Sequence, residues 1–575
     1  MYRLFALSLL SIGLASCTTP LSVPDLQVST TTAAVAMPDR FAADAAEDIL
    51  QSGGNAIDAA IASALVLAVT YPEAGNIGGG GFMLIYADGK PAFLDYRETA
   101  PGMATRDMYL DKDGDVIADL SLVGHLAAGV PGTVAGLWDA HRRHGTRPWA
   151  ELVAPALRLA RDGFVMPGHL AERIDRLENY FKGRGNFSVY FGGAQPGQVF
   201  KQPELAATLE RIARQGRDGF YRGTTAELIA ADMSRGDGLI STDDLAAYRP
   251  VWREPLAAQW RDYRLISAPP PSMGGFAVIQ LLKMKDYLAN AFDGVAHNSP
   301  QYLHLVAEIE KRVFADRAEY FGDPDFVDVP VARLIDDTYV RTRADAVDVD
   351  SISSVASVPP GLEEGHDTTH FSVVDRWGNA VSNTYTLNTW FGSGVVVEGA
   401  GFLLNNEMDD FSAKPGAPNF YGVVGQSANA IEPRKRMLSS MSPTILLRDD
   451  KVSMVVGTPG GSTIFTSVFQ AVVNILDFGM TPQQAVAATR FHHQLLPPDL
   501  ITFSPGVPLA AETIRVLGKR GYRVEPHPWV FGDLQVIWYD DETALTGSDP
   551  RGRGASRPIR THSDHQPVPL TKLLN

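Results

Sequence analysis

Asp367–Asp375 reads DTTHFSVVD, and the chain returns as AVSNTYTLN from Ala380 to Asn388. His370, Ser372 and Val374 alternate with Thr369, Phe371 and Val373, the period of a half-buried strand. Arg376–Asn379 carries turn residues between the two runs, so an antiparallel hairpin is expected. Centred near Trp377, it sets Thr368 opposite Thr386, two hydroxyls at one strand end beside Asn388. A slip of one residue would send Thr386 to the other face. Strands favour threonine for packing alone, so the pair does not by itself specify chemistry. It does so if Thr368 begins a chain, because its own α-amine then serves as the base for its hydroxyl. Cleavage between Asp367 and Thr368 creates that terminus.

With 575 residues, 45% of them hydrophobic and 20% charged, the chain exceeds what one simple core holds. A net charge of -16 disfavours nucleic acid or an anionic bilayer bound through a basic patch. A local cationic site for an anionic substrate remains compatible with it. Arg3 precedes an apolar run, Leu4 to Leu14, too short to span a bilayer and built like a secretory signal. It ends in Leu14-Ala15-Ser16-Cys17, which resembles a bacterial lipoprotein cleavage site. Cys17 is the sole cysteine, so neither a disulfide framework nor a cysteine metal cluster is available. The expectation is a signal peptide over 1–16, then a lipidated Cys17 opening a flexible tether over 17–35. Thr18 after the cysteine fits an exported, periplasmic protein anchored by lipid to the outer membrane.

Asp39–Gln51 and Ile57–Val69 read as helices parted by Gly53-Gly54, with Asn55 as a cap. Phe82–Tyr86 and Ala92–Tyr96 read as strands joined at Asp88-Gly89. Thr133–Arg161, Gln202–Gln215 and Pro300–Tyr320 look helical, and a strand-rich part begins at Thr368. Strands in both portions suggest that the two share sheets.

Several motifs fail. Gly78–Gly81 follows a helix and precedes a strand, the reverse of the dinucleotide-binding order, and reads as close backbone packing near the site. Asp111, Asp113 and Asp115 have calcium-loop spacing, but Val116 replaces the turn glycine and Leu122 the closing glutamate. His366 and His370 are spaced like zinc ligands, yet His370 lies in a strand pattern, and His492-His493 has no identifiable third ligand. No metal and no cofactor are expected. There is no G-x-S-x-G elbow.

DTTHFSVVD, YTLNTWFGSG, LLNNEMDDFSAKPG, LSSMSPT and GTPGGS follow one another between Asp367 and Ser462. In that order they resemble the small-subunit motifs of the γ-glutamyltranspeptidase family. GGNAIDAAIA (Gly53–Ala62), GNIGGGGFM (Gly75–Met83), DYRETAP (Asp95–Pro101) and PPPSMGG (Pro269–Gly275) extend the resemblance over nearly the whole chain. It implies an α+β fold, the four-layer αββα sandwich of N-terminal nucleophile hydrolases. Two autoprocessed subunits would form it jointly, a large one over 36–367 and a small catalytic one over 368–575.

The resemblance also implies roles. Thr368 is the nucleophile, Thr386 orients its hydroxyl, and backbone amides at Gly460-Gly461 stabilise the oxyanion. Arg97 grips the α-carboxylate of a γ-glutamyl group, with Ser439 and Ser440 donating to it. Asn388, Glu407 and Asp410 accept from the α-ammonium. Lys414–Gln426, carrying Tyr421, resembles a lid loop over the substrate. Substrates would be glutathione and other γ-glutamyl compounds, with amino acids, peptides or water accepting the group. A glutaryl or cephalosporin-type acylase is the alternative, and retained Asp410 speaks against it. The third reading is an anchored, non-catalytic binding protein, against which Thr368, Thr386, Arg97 and the diglycine speak.

Overall fold

The structure, a computed structural model, describes residues 32–354, 368–414, 427–494, 497–528, 532–541 and 543–559. Among the described residues, strands form two large antiparallel sheets. The first has seven strands in the order Ala555–Ile559, Ala33–Met37, Thr369–Val374, Ala380–Thr386, Gly80–Ala87, Lys90–Asp95 and Val251–Arg253. The second has six, in the order Thr543–Ser548, Gln535–Asp540, Lys451–Gly457, Thr444–Arg448, Tyr263–Ser267 and Leu256–Trp260.

Alternation along the first sheet assigns its two faces. Ala33, Val35, Met37, Met83, Ile85, Phe371 and Val373 join a core with the helices Arg40–Gln51, Ala56–Thr70, Thr133–His144 and Trp149–Asp162. Their neighbours Ala34, Ala36, Phe82, Leu84, Tyr86 and Val374 pack with Ile266, Ile445, Leu447, Val455 and Ile537 of the second sheet. The far side of that second sheet, through Leu265, Leu446, Met454, Val456 and Val536, meets Gly274–Tyr287, Pro300–Tyr320 and Thr463–Leu476. The layers therefore run α, β, β, α, as expected.

The hairpin has the expected register. Tyr385 pairs with Thr369 and Ser382 with Ser372, which carries Thr368 opposite Thr386. Asp375 closes the turn by accepting the Trp377 and Asn379 amides at 2.9 and 3.0 Å. It also takes the Ala56 amide at 2.9 Å, so the turn caps a buried helix. That helix starts at Asn55 and Asp58, which form a reciprocal capping box.

Three expectations are corrected. The Thr369–Val374 strand is buried on both faces, since helices cover one side and the second sheet the other. The tether cannot extend to residue 35, because Ala33–Met37 is a buried central strand paired with Thr369–Val374 and Ala555–Ile559. Its small residues conceal an alternation that only the two neighbouring strands make visible. Thr133–Arg161 is two helices, interrupted between His144 and Trp149 where Gly145 and Pro148 fall. The signal over 1–16, Cys17, Asp367 and Tyr421 lie outside the described residues.

Candidate active site

Thr368 sits half-buried at the start of its strand. On the facing strand end, the Thr386 hydroxyl accepts the Asn388 amide at 2.7 Å, and the Thr386 carbonyl accepts Asn76 Nδ2 at 2.8 Å. Asn388 adopts φ 77°, a left-handed conformation that asparagine tolerates better than most residues. Its side chain is fixed by donating to the Asn406 carbonyl at 2.9 Å.

Gly78–Gly81 packs against this strand end, as the sequence suggested. A Cβ on Gly79 would lie 2.0 Å from the Thr386 carbonyl oxygen, and one on Gly80 would lie 2.6 Å from Glu98 Oε2. Only glycine permits both approaches. The run thus joins the threonine pair to the segment that carries Arg97.

Arg97 is buried and surrounded by acid. Its guanidinium donates to Glu407, to Asp410 Oδ2 at 2.5 Å, and to the carbonyls of Met437 at 3.4 Å and Leu438 at 3.0 Å. Glu98 lies 3.8 Å away. Glu407 and Asp410 are the ends of one 3-10 turn, Glu407–Asp410, which is why both reach the same cation. Burial pushes Glu407 well above the usual carboxylate range and Glu98 up to about 8. Burial alone would lower the Arg97 pKa, but Glu407, Asp410 and Glu98 more than offset it, so the guanidinium stays charged. Three carboxyls thus crowd one guanidinium, and burial holds two of them, Glu407 and Glu98, toward their neutral forms.

Ser439 and Ser440 directly follow the two carbonyls that hold Arg97. Both are buried, and Ser439 is fixed by donating its amide to the Pro271 carbonyl at 2.9 Å. The fork of Arg97 faces Glu407 and Asp410, not open space. Of its carboxyl partners Asp410 is the most open, 18% exposed at its side chain.

Gly460 and Gly461, with φ 135° and 53°, form the turn between the strand Lys451–Gly457 and the helix Thr463–Leu476. Their carbonyls accept Thr463 and Ile464 amides at 3.0 and 3.1 Å, anchoring the turn at the positive end of the helix dipole. Gly460 shares with Thr368 a cleft of about 330 Å³ whose walls include Tyr71, Arg173, Trp390 and Asp533. Arg97 is not among the residues of that wall. The cleft that Thr368 lines is thus separate from the acidic cluster around Arg97.

The histidines are engaged in the core. His370 bonds the hydroxyls of Thr384 at 2.8 Å and Ser372 at 3.1 Å, and burial lowers its pKa to about 3. His492 and His493 fall to about 3 and about 4 for the same reason. Asp111 accepts the amides of Asp113 and Asp115 at 2.9 Å in an exposed turn. Among the described residues no cluster of three or more histidines, cysteines or carboxylates gathers around a metal-sized gap.

Residues 42–559 match the family described as Gamma-glutamyltranspeptidase. The chain belongs to that family. It is 58% identical to the glutathione hydrolase proenzyme of Pseudomonas aeruginosa, over 92% of this chain and 94% of that one. A solved structure of γ-glutamyltranspeptidase from Pseudomonas nitroreducens, complexed with L-DON, is 55% identical over 56% of this chain and 96% of its own, with a TM-score of 0.56. The cephalosporin acylase of Bacillus halodurans is 26% identical, covers 95% of this chain and 99% of its own, and superposes with a TM-score of 0.78. Of the residues around the site, Glu98, Asn76, Trp390 and Asp533 escaped the sequence reading. Nothing in their spacing distinguishes them from ordinary turn and strand residues.

Proposed function

We propose that the chain is a precursor that cleaves itself between Asp367 and Thr368 and then acts as a γ-glutamyltransferase and glutathione hydrolase. Thr368 opposite Thr386, in one cleft with Gly460, is the observation that carries the reading. In the mature enzyme the Thr368 α-amine, with a pKa of about 8, takes the proton of its own hydroxyl. The Thr368 oxygen then attacks the γ-carbonyl, and amides at Gly460-Gly461 stabilise the oxyanion. The amine returns its proton to the departing nitrogen, leaving a γ-glutamyl ester on Thr368. An amino acid, a peptide or water resolves that ester.

At the donor's far end, the α-ammonium donates to Glu407, Asp410 and Asn388. The α-carboxylate is held by Arg97, Ser439 and Ser440. The carboxyl oxygens around Arg97 support a γ-glutamyl donor, whose ammonium can donate to them, over a glutaryl one, which brings no such donor. Asp410→Asn is expected to lose γ-glutamyl hydrolysis strongly and to retain or gain activity on a glutaryl amide. Preference of the parent for glutaryl amides would instead favour the acylase reading.

The test of maturation is direct. Purified protein should run as two bands on a denaturing gel, and the smaller should begin Thr-Thr-His. Thr368→Ala should remain one band and be inactive on a γ-glutamyl anilide. Any other small-fragment terminus would sink the assignment. Residues 1–16 are proposed to be a signal and Cys17 a lipid anchor for a periplasmic, outer-membrane location. Cys17→Ser should then move the protein from the membrane to the soluble periplasmic fraction, and an unchanged distribution would remove the anchor.

A further inference from the structure

The Arg97 guanidinium belongs to a closed ring of hydrogen bonds that runs through a residue the reaction above does not use. Its Nη2 donates to Asp410 Oδ2 at 2.5 Å and to the Leu438 carbonyl at 3.0 Å. Asp410 and Leu438 are joined a second time, by Asn429. Asn429 Nδ2 donates to the Asp410 carbonyl at 2.7 Å, and Asn429 Oδ1 accepts the Leu438 amide at 3.0 Å. Asn429 is buried at the end of the 3-10 turn Ser427–Asn429. Its two partners distinguish the ends of its amide, because a carbonyl can only accept and an N–H can only donate. Aspartate of the same shape would lack the donor, and leucine would lack both groups.

The two sides of this ring are held differently. The Leu438 side is pinned through its neighbours to residues that precede Thr368 in the chain. Arg436 donates its amide to Asp323 Oδ2 at 2.8 Å, Ser439 donates its amide to the Pro271 carbonyl at 2.9 Å, and the Ser439 carbonyl accepts the Met273 amide at 2.9 Å. The Asp410 side is the short 3-10 turn Glu407–Asp410. Asn429 ties that turn to the pinned segment by side chain and backbone alike, since its own carbonyl accepts the Ser412 amide at 2.9 Å.

We propose that Asn429 is a positioning residue that fixes the separation between Asp410, which meets the donor's α-ammonium, and Ser439-Ser440, which meet its α-carboxylate. The inference rests on the γ-glutamyl reading above and acts within the same site. The ammonium and carboxylate of a γ-glutamyl group hang on one carbon, so they present themselves at a fixed spacing. A turn that drifts from the pinned segment satisfies one of the two groups and not both. Loss of the tie should weaken binding of this end of the donor and spare the chemistry at Thr368, whose partners Thr386 and Gly460 stand on other elements.

Steady-state kinetics of fully cleaved enzyme on a γ-glutamyl anilide test this. Asn429→Leu should raise KM about tenfold or more and lower kcat less than about threefold. The Ki of free L-glutamate, which carries the same two α-groups, should rise in parallel. Should Asn429→Leu fail to fold or cleave, Asn429→Asp supplies the second arm. It keeps the shape and the bond from Leu438 but loses the donor to Asp410, and its KM should rise about threefold or more. Parental KM and Ki in the cleaved fraction, whether or not kcat falls, would overturn the proposal. A merely less stable fold reduces the amount of active enzyme and leaves KM where it was. Absence of cleavage or of γ-glutamyl hydrolysis in the unmutated protein is a separate outcome, which would refute the reading on which the inference stands.

Discussion

At the scale of single residues, charge in a dry environment governs what each substitution does. Arg97 is at once a proposed ligand group and the counter-ion of Glu407 and Asp410. Arg97→Ala is therefore expected to cost about 3 to 5 kcal/mol of stability, since it leaves buried carboxyls unpaired, and to slow cleavage as well as weaken donor binding. Lysine cannot reproduce the fork and should rescue poorly. Urea titration of each variant, with the fraction of uncleaved precursor read on a gel, checks both effects. Parental stability with only a raised KM would show that the carboxyls find other partners. His370 gives a pH prediction. Its folded pKa of about 3 lies below the ordinary 6.5, so the unfolded chain alone takes up a proton in between. Its contribution to stability is whole above pH 6.5 and fades as pH falls toward 3. In His370→Gln the drop in Tm from pH 7 to pH 4 should be smaller than in the parent, and an equal drop would place the acid sensitivity elsewhere.

At the scale of elements, the threonine pair is held by a hairpin and by the glycine run against its edge. The hairpin is local in sequence, with alternation, turn and return inside one short stretch, which is why its register could be read without the fold. The glycine run could be read only as close packing, because its partner, the Thr386 strand end, lies some three hundred residues away in the chain, as the Asn76–Thr386 bond shows. Gly79→Ala should force that strand end outward at a cost of about 1–3 kcal/mol and leave much of the protein as uncleaved precursor. Gly168 is the control, because a Cβ there meets nothing within 4 Å and its φ is not positive. Gly168→Ala should cleave normally and have the same or a slightly higher Tm. Equal behaviour of the two alanine variants would mean that the threonine strand tolerates displacement.

At the scale of the whole molecule, the proposed cut falls between partners of a single sheet. Ala33–Met37 and Gly80–Ala87 flank the Thr369–Val374 and Ala380–Thr386 hairpin on both sides, so strands from before and after Thr368 share one hydrogen-bonded ladder and two apolar cores. Apolar burial is insensitive to screening, so the two fragments should co-elute as one species from low salt to 1 M NaCl and separate only in denaturant. Separation in salt alone would mean that surface charge holds them. What the sequence determined by itself was local or repeated. The hairpin and its register follow from period-two alternation, the helix starting at Ala56 from its Asn55 and Asp58 cap, and the membership from motifs in a fixed order. What the tertiary structure decided was every relation between distant segments. Ala33–Met37 became a central strand, Arg97 was set among Glu98, Glu407 and Asp410, and Asp533 came to line one cleft with Thr368 and Gly460. Burial makes those relations matter, since a charge or an unmade hydrogen bond acquires its consequence only once folding has removed the water.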